Sequence, residues 1–337
     1  MTGLRLAIAL ALGALAGCAT SPPLATGPAN PTIAALERHI AGLSDDGFAG
    51  RAPATIGETQ TLDYLQAEWQ AAGLTSGTLD PENPWRAPFR AVHFSDGREA
   101  NTFNLVGRIK GTDPTSGAVL LLAHYDHLGV CGKKADRICN GAVDNASGIA
   151  IVTEVARRLA AGPRMRRDIY VLATGAEEWG LLGARAFAEA PPVPVENFVA
   201  AFNIDTEGLA PAGSPIVVIG EEGSPLDGLI AEVAGAKNIA VVDPTEANAQ
   251  FLRRQDGWAL LQAGIPSVMV SAAFSDLPRL FAFLDTDYHR PGDEADIVEL
   301  GAAAEMVDLH VELVRAAADP ARLPRVVIEL PETASMP

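Results

Sequence analysis

AVLLLAHYDHLGVCGKKADRICNGAVDNASG, residues 118–148, is the stretch on which the fold turns. An apolar run, Val119 to Ala123, stops abruptly at His124, Tyr125, Asp126 and His127, and after a loop Asp144 and Asn145 lead into a helical pattern. A buried strand that ends in imidazole and carboxylate is how α/β enzymes present functional groups at the carboxyl edge of a sheet. Two more runs end the same way: IYVLAT (169–174) passes into Gly175, Ala176, Glu177 and Glu178, and FVAAFNI (198–204) passes into Asp205. A later imidazole, in DYHRPGD (287–293), completes the set. Three such endings in succession point to one shared site.

Working outward, strand and helix patterns alternate. Helical spacing marks Ile33, Leu36, Ile40 and Leu43, then residues 58–72, 146–160, 180–189, 226–234, 258–263 and 298–317. Strand patterns fall at Phe89–Phe94, 104–109, 118–123, 169–174, 198–204, 216–219, 239–242 and 267–271. This alternation predicts an α/β domain of three layers, α/β/α, around a central, mostly parallel mixed sheet. No internal repeat or linker breaks it, so residues 32–320 read as one catalytic domain and 321–337 as a C-terminal tail.

Residues 1–17 read as a signal peptide: Arg5 precedes an apolar segment, Leu6 to Ala16, too short to span a bilayer. Leu15-Ala16-Gly17-Cys18 resembles a bacterial lipobox, which implies lipidation of Cys18 and a Pro-, Ala- and Thr-rich tether over 18–31. Cleavage near Ala19 as an ordinary secretory signal is the alternative. Ala19 rather than Asp after the cysteine is similar to outer-membrane sorting, so the expected location is the bacterial cell envelope, lipid-anchored and facing the periplasm. Cys131 and Cys139 then remain, and an oxidising compartment permits a disulfide between them, with two free thiols as the other reading. A net charge of −17 argues against nucleic acid as a partner, and no feature names a protein partner.

His124, Asp144, Glu178, Asp205 and His289 offer two imidazoles and three carboxylates. Such a nitrogen and oxygen set suits Zn²⁺, with Mn²⁺ or Co²⁺ possible, and it is too large for one tetrahedral ion that keeps a water. It fits two ions sharing a carboxylate, which together activate water and polarise a carbonyl. Neighbouring side chains at a strand end diverge, so while Glu178 ligates, Glu177 is placed to act as general base. Asp126 is placed to accept the other N–H of His124. His127 reads equally as loop-ordering or substrate-contacting, Glu207 as structural, and His39, His93 and His310 as structural or surface residues. Tyr288 is either a turn residue or a contact to substrate or developing oxyanion.

HYDHLG (124–129), GAVDNASG (141–148), ATGAEEWGLLGARAF (173–187), NIDTEG (203–208) and DYHRPGDEAD (287–296), in that order, resemble the co-catalytic zinc peptidases of the aminopeptidase Y and bacterial leucyl aminopeptidase family. The resemblance implies one zinc on His124 and Asp205, a second on Glu178 and His289, and Asp144 bridging. It gives Glu177 the catalytic role, makes Asp126 the partner of the first His, and implies a cis Asp144–Asn145 bond. The implied activity is removal of N-terminal residues from peptides. Carboxypeptidase action, glutaminyl cyclisation or a catalytically silent envelope binding module are the alternatives. One departure stands out: where relatives show Ser-Asp-His, this chain has Gln255-Asp256-Gly257, which puts the substrate pocket rather than hydrolysis in question.

Overall fold

A computed structural model describes residues 30–133 and 136–325. The expected signal, Cys18, nearly all of the tether and residues 326–337 lie outside the described residues. The chain runs α1 (Pro31–Leu43), α2 (Ile56–Ala71), β1 (Thr75–Ser76), β2 (Arg86–Val92), β3 (Glu99–Ile109) and β4 (Ala118–His124). A small hairpin, β5 (Gly129–Val130) and β6 (Ile138–Cys139), precedes α3 (Gly148–Ala161), β7 (Asp168–Thr174), α4 (Leu182–Glu189) and β8 (Phe198–Asn203). Then come β9 (Ile216–Ile219), α5 (Asp227–Ala236), β10 (Val241–Val242), α6 (Glu246–Ala249), α7 (Asp256–Gln262), β11 (Ser267–Ser271), α8 (Leu277–Thr286) and α9 (Leu300–Ala317).

One mixed sheet of nine strands has the order β1-β3-β7-β4-β8-β11-β9-β10, with β2 also paired to β3. Its middle, β7-β4-β8-β11, is parallel, while β3 and β9 flank that middle in the antiparallel sense. β4, β7 and β8 are buried at every position, as strands covered on both faces must be. Val119, Leu121 and Ala123 of β4 face the layer of α1, α2, α3, α5 and α9. Leu120 and Leu122 face Phe187 of α4 and Leu260 of α7 on the other side. The three-layer expectation holds.

Register positions the site. His124 pairs with Thr174, and Leu122 pairs with Asn203. The three parallel strands therefore leave the core at the same level, and the residues just beyond them meet. The structure differs from the sequence reading in several places, among them short elements the patterns do not mark: β1, the β5–β6 hairpin and α6. β3 begins at Glu99, because Glu99 already pairs with Val92 of β2 across a hairpin. α3 begins at Gly148, after an irregular turn over 142–147 that carries a cis Asp144–Asn145 peptide. α8, started by an Asp276 cap and Pro278, has no counterpart among the sequence patterns; Leu280 and Leu284 line a pocket, and Leu280 and Phe283 share a core cluster with Val217 and Ile219 of β9 and Met269 of β11. The packed chain also continues past 320, since Leu323 is buried and its carbonyl accepts from Arg167 Nη1. Cys131 and Cys139 are joined in a disulfide, Cα atoms 5.8 Å apart, that closes the β5–β6 hairpin.

Candidate metal centre

All five expected ligands converge at the carboxyl edge, in two groups that share Asp144. His124 Nε2 lies 3.3 Å from Asp144 Oδ1 and 3.6 Å from Asp205 Oδ1. His289 Nε2 lies 3.3 Å from Asp144 Oδ2 and 2.9 Å from Glu178 Oε2. The two oxygens of Asp144 thus face opposite groups. His127 joins the second group, with Nδ1 2.7 Å from Glu178 Oε1 and 3.8 Å from Asp144 Oδ2. The sequence pattern does not place His127 among the ligands, because it lies three residues beyond the end of β4 and its side depends on how the chain turns there. His124 and His127 meet opposite oxygens of Asp144.

These residues fit cations. His127 Nδ1, Asp144 Oδ2, Glu178 Oε1 and His289 Nε2 are buried without a hydrogen-bond partner among the described residues, which would be costly with nothing to bind. His127 Nδ1 and Glu178 Oε1 are 2.7 Å apart yet not aligned for a hydrogen bond, and with Asp144 and His289 their ligand atoms lie within 4.8 Å of one another.

The surroundings hold these groups in place. His124 Nδ1 donates to the main-chain carbonyl of Asp126 at 3.1 Å, which turns Nε2 inward. This corrects the expected role of the Asp126 carboxylate, whose Oδ1 stands 3.8 Å from that nitrogen. The carboxylate instead accepts the Glu177 N–H at 3.0 Å and the Glu178 N–H at 3.4 Å, fixing the loop that bears both glutamates. Asp293 does the same for the other loop, accepting from Val143 N at 2.7 Å and Asp144 N at 3.0 Å. Asn145 Nδ2 donates to Ile204 O at 3.0 Å, tying that loop to the end of β8.

Arg51 is wholly buried and spends its guanidinium on main-chain carbonyls: Tyr125 O at 2.7 Å, Leu43 O at 2.7 Å, Asn140 O at 2.5 Å and Gly141 O at 2.9 Å. It links the ends of the loop between His124 and Asp144 and places a cation behind the acids; burial brings its pKa down to about 10. Neither Arg51 nor Asp293 stands out in the sequence. Each lies in a polar segment whose composition resembles any surface turn, and only the fold reveals their burial.

Burial and the neighbouring acids Asp256 and Glu178 push Glu177 well above the usual carboxylate range, against the pull of His124. Burial and Asp144 act upward on Glu178 too, but the His127 and His289 imidazoles outweigh them and hold it at about 2. Bound cations would draw Glu177 downward. Glu177 lines a pocket with His124, Asp144 and Asp205, whose far wall is Phe251, Met269, Phe274, Leu280, Leu284 and Tyr288. Tyr288 stacks on His289, ring centroids 3.8 Å apart. Glu207 is buried near the centre but belongs to neither ligand group. The missing histidine at Gly257 has a packing counterpart: a Cβ there would lie 2.6 Å from Gln255 Oε1, which accepts from Asn203 Nδ2 and Gly257 N, both at 2.7 Å.

Imidazoles and carboxylates around a shared aspartate, at the carboxyl edge of a mixed sheet between helical layers, form a donor set of the kind that holds divalent cations. The sequence signature of peptidase family M28 matches residues 104–314, and the chain belongs to that family. It is 32% identical over 108 residues to a "Probable zinc metalloprotease" of Pyrenophora tritici-repentis, an overlap of 32% of this chain and 25% of that one. The chain spans no more than a quarter of the length of the curated relatives it matches. Among solved structures, the aminopeptidase from Aneurinibacillus sp. strain AM-1 is similar at TM-score 0.63 and 15% identity, covering 88% of this chain and 96% of that one. A Porphyromonas gingivalis glutaminyl cyclase is similar at TM-score 0.64 and 19% identity, covering 84% and 97%.

Proposed function

We propose that the chain is a two-zinc aminopeptidase that removes N-terminal residues from peptides. The observation that carries this reading is Asp144, whose two oxygens face separate donor groups. His124 and Asp205 would hold one zinc and Glu178 and His289 the other. Bound zinc supplies a Lewis acid for the scissile carbonyl and acidifies the attacking water. Glu177, free of either group and facing the pocket, accepts the proton of that water on a carboxylate oxygen and returns it to the leaving amine nitrogen. The apolar wall from Phe251 to Tyr288 takes the side chain of the residue being removed. Tyr288, in that wall, is placed to contact the substrate.

Lipid anchoring through Cys18 and an envelope location, outer membrane facing the periplasm, are part of the proposal; Leu15 to Cys18 is what supports them. Purified protein lacking residues 1–18, with its zinc measured, should be offered aminoacyl, C-terminally exposed and N-terminal glutaminyl substrates. Release of free amino acid from the aminoacyl set is the expected result. Ring closure of the glutaminyl substrate or cleavage at the C-terminus would replace this reading with cyclase or carboxypeptidase action. No turnover by zinc-loaded protein would favour a silent binding module.

A further inference from the structure

The two donor groups are unequal. On one side of Asp144 stand His124 and Asp205, giving three donors with the shared carboxylate; on the other stand His127, Glu178 and His289, giving four. For zinc bonds of about 2.0–2.1 Å, the edges of a tetrahedron of donors are roughly 3.3 Å long. The four-donor side shows nitrogen–oxygen separations of 2.7, 2.9, 3.3 and 3.8 Å, scattered about that length. The His127 ring is itself seated for this. It is fully buried and meets the His289 ring edge-on at 5.6 Å. It packs against Gly141, where a Cβ would lie 2.6 Å from the imidazole Cγ. Neither ring nitrogen has a hydrogen-bond partner among the described residues.

We infer that His127 is a protein ligand, so that the side with Glu178 and His289 is a nearly closed, tight site and the side with His124 and Asp205 is the open, exchangeable one. Closed tetrahedral zinc sites are structural, and open ones keep a position for water or substrate. The pocket agrees with this division: its lining includes His124 and Asp205 but neither His127 nor Glu178. The inference rests on the two-ion reading and adds an order of affinity to it. Access to substrate belongs to the weaker site, and activity should track occupancy of that site.

The test is zinc content of the protein lacking residues 1–18 after equilibration against zinc buffers, together with the visible spectrum of the cobalt-substituted protein. Wild type should fill in two separate steps, and the first cobalt bound should give the strong absorption of a four-coordinate ion. His127→Leu should weaken the first step by at least roughly 100-fold, the upper end of what losing an outer-sphere partner costs, and should diminish that absorption. His127→Gln keeps an N–H for Glu178 but is a poor ligand, so it should fail like leucine; Asp205→Asn should affect the second step alone. The inference is overturned if wild type fills both sites with equal affinity, or if His127→Gln binds as wild type does, which would make His127 a positioning residue. Wild type holding no more than one zinc would overturn the two-ion reading, and this inference with it.

Discussion

The sheet has two acid-rich ends, and among the described residues only one of them gathers candidate metal ligands. At the carboxyl ends of β4, β7 and β8, acids that are buried (Asp126, Asp144, Asp205) or half-buried (Glu177, Glu178) are interleaved with His124, His127 and His289. At the other end, β9 and β10 run into Glu221, Glu222, Asp243 and Glu246, all exposed, around a cleft whose lining has no imidazole. Strand direction separates them. β11 continues the parallel set and β9 reverses it, so the residues after β9 emerge at the opposite edge. A count of carboxylates therefore does not find the site; burial, imidazole and strand polarity do.

The sharpest way to break this contrast is at Glu177. Glu177→Ala should lower kcat by about 10²–10⁴-fold, the usual share of general-base catalysis, with zinc content unchanged. Retained activity would remove the residue from the mechanism. A second test moves behind the sheet, to His310. It is fully buried, with Nδ1 donating to Met306 O at 2.8 Å, and burial lowers its pKa from 6.5 to about 4. Its folded value is depressed, so the unfolded chain binds the extra proton between those pH values. The stability it permits is complete above pH 6.5 and is lost as pH falls toward 4, by up to roughly 3 kcal/mol. His310→Leu should flatten that part of the pH dependence of thermal unfolding, while losses from the shared metal ligands cancel in the comparison with wild type.

A smaller effect is expected from Asp293→Asn, which removes the charge behind Asp144 and leaves one acceptor where the carboxylate offered two, to Val143 N–H and Asp144 N–H. Zinc affinity should fall by about 10–100-fold, as for other outer-sphere partners, with the fold intact by circular dichroism. Smallest of all is the double change Glu221→Gln and Glu222→Gln at the far edge. It should leave zinc content as in wild type and shift stability by no more than about 0.5 kcal/mol. A loss of zinc there would erase the contrast.

Much of this is legible in the sequence, for physical reasons. A strand buried on both faces must be apolar throughout, so β4, β7 and β8 announce themselves, and the first polar residues beyond them have to sit at a sheet edge. That logic reaches His124, Glu177, Glu178 and Asp205 directly. His127 is harder, because its side depends on how the chain turns after β4. Arg51 and Asp293 are out of reach. Each acts through main-chain groups distant in sequence, Tyr125 and Gly141 for Arg51 and Val143 for Asp293, and such partners leave no pattern in residue type. The sequence locates the Asp126 carboxylate but not its partner, since the carbonyl and carboxylate of one residue compete for one imidazole and only geometry decides.

The direct test of the two-ion centre is zinc bound per chain in wild type and in Asp144→Ala, each measured after exchange into zinc-buffered solution. If Asp144 joins two sites, wild type holds two ions and the single substitution weakens both. Loss of only one ion from Asp144→Ala, or a wild-type protein that never exceeds one, would contradict it.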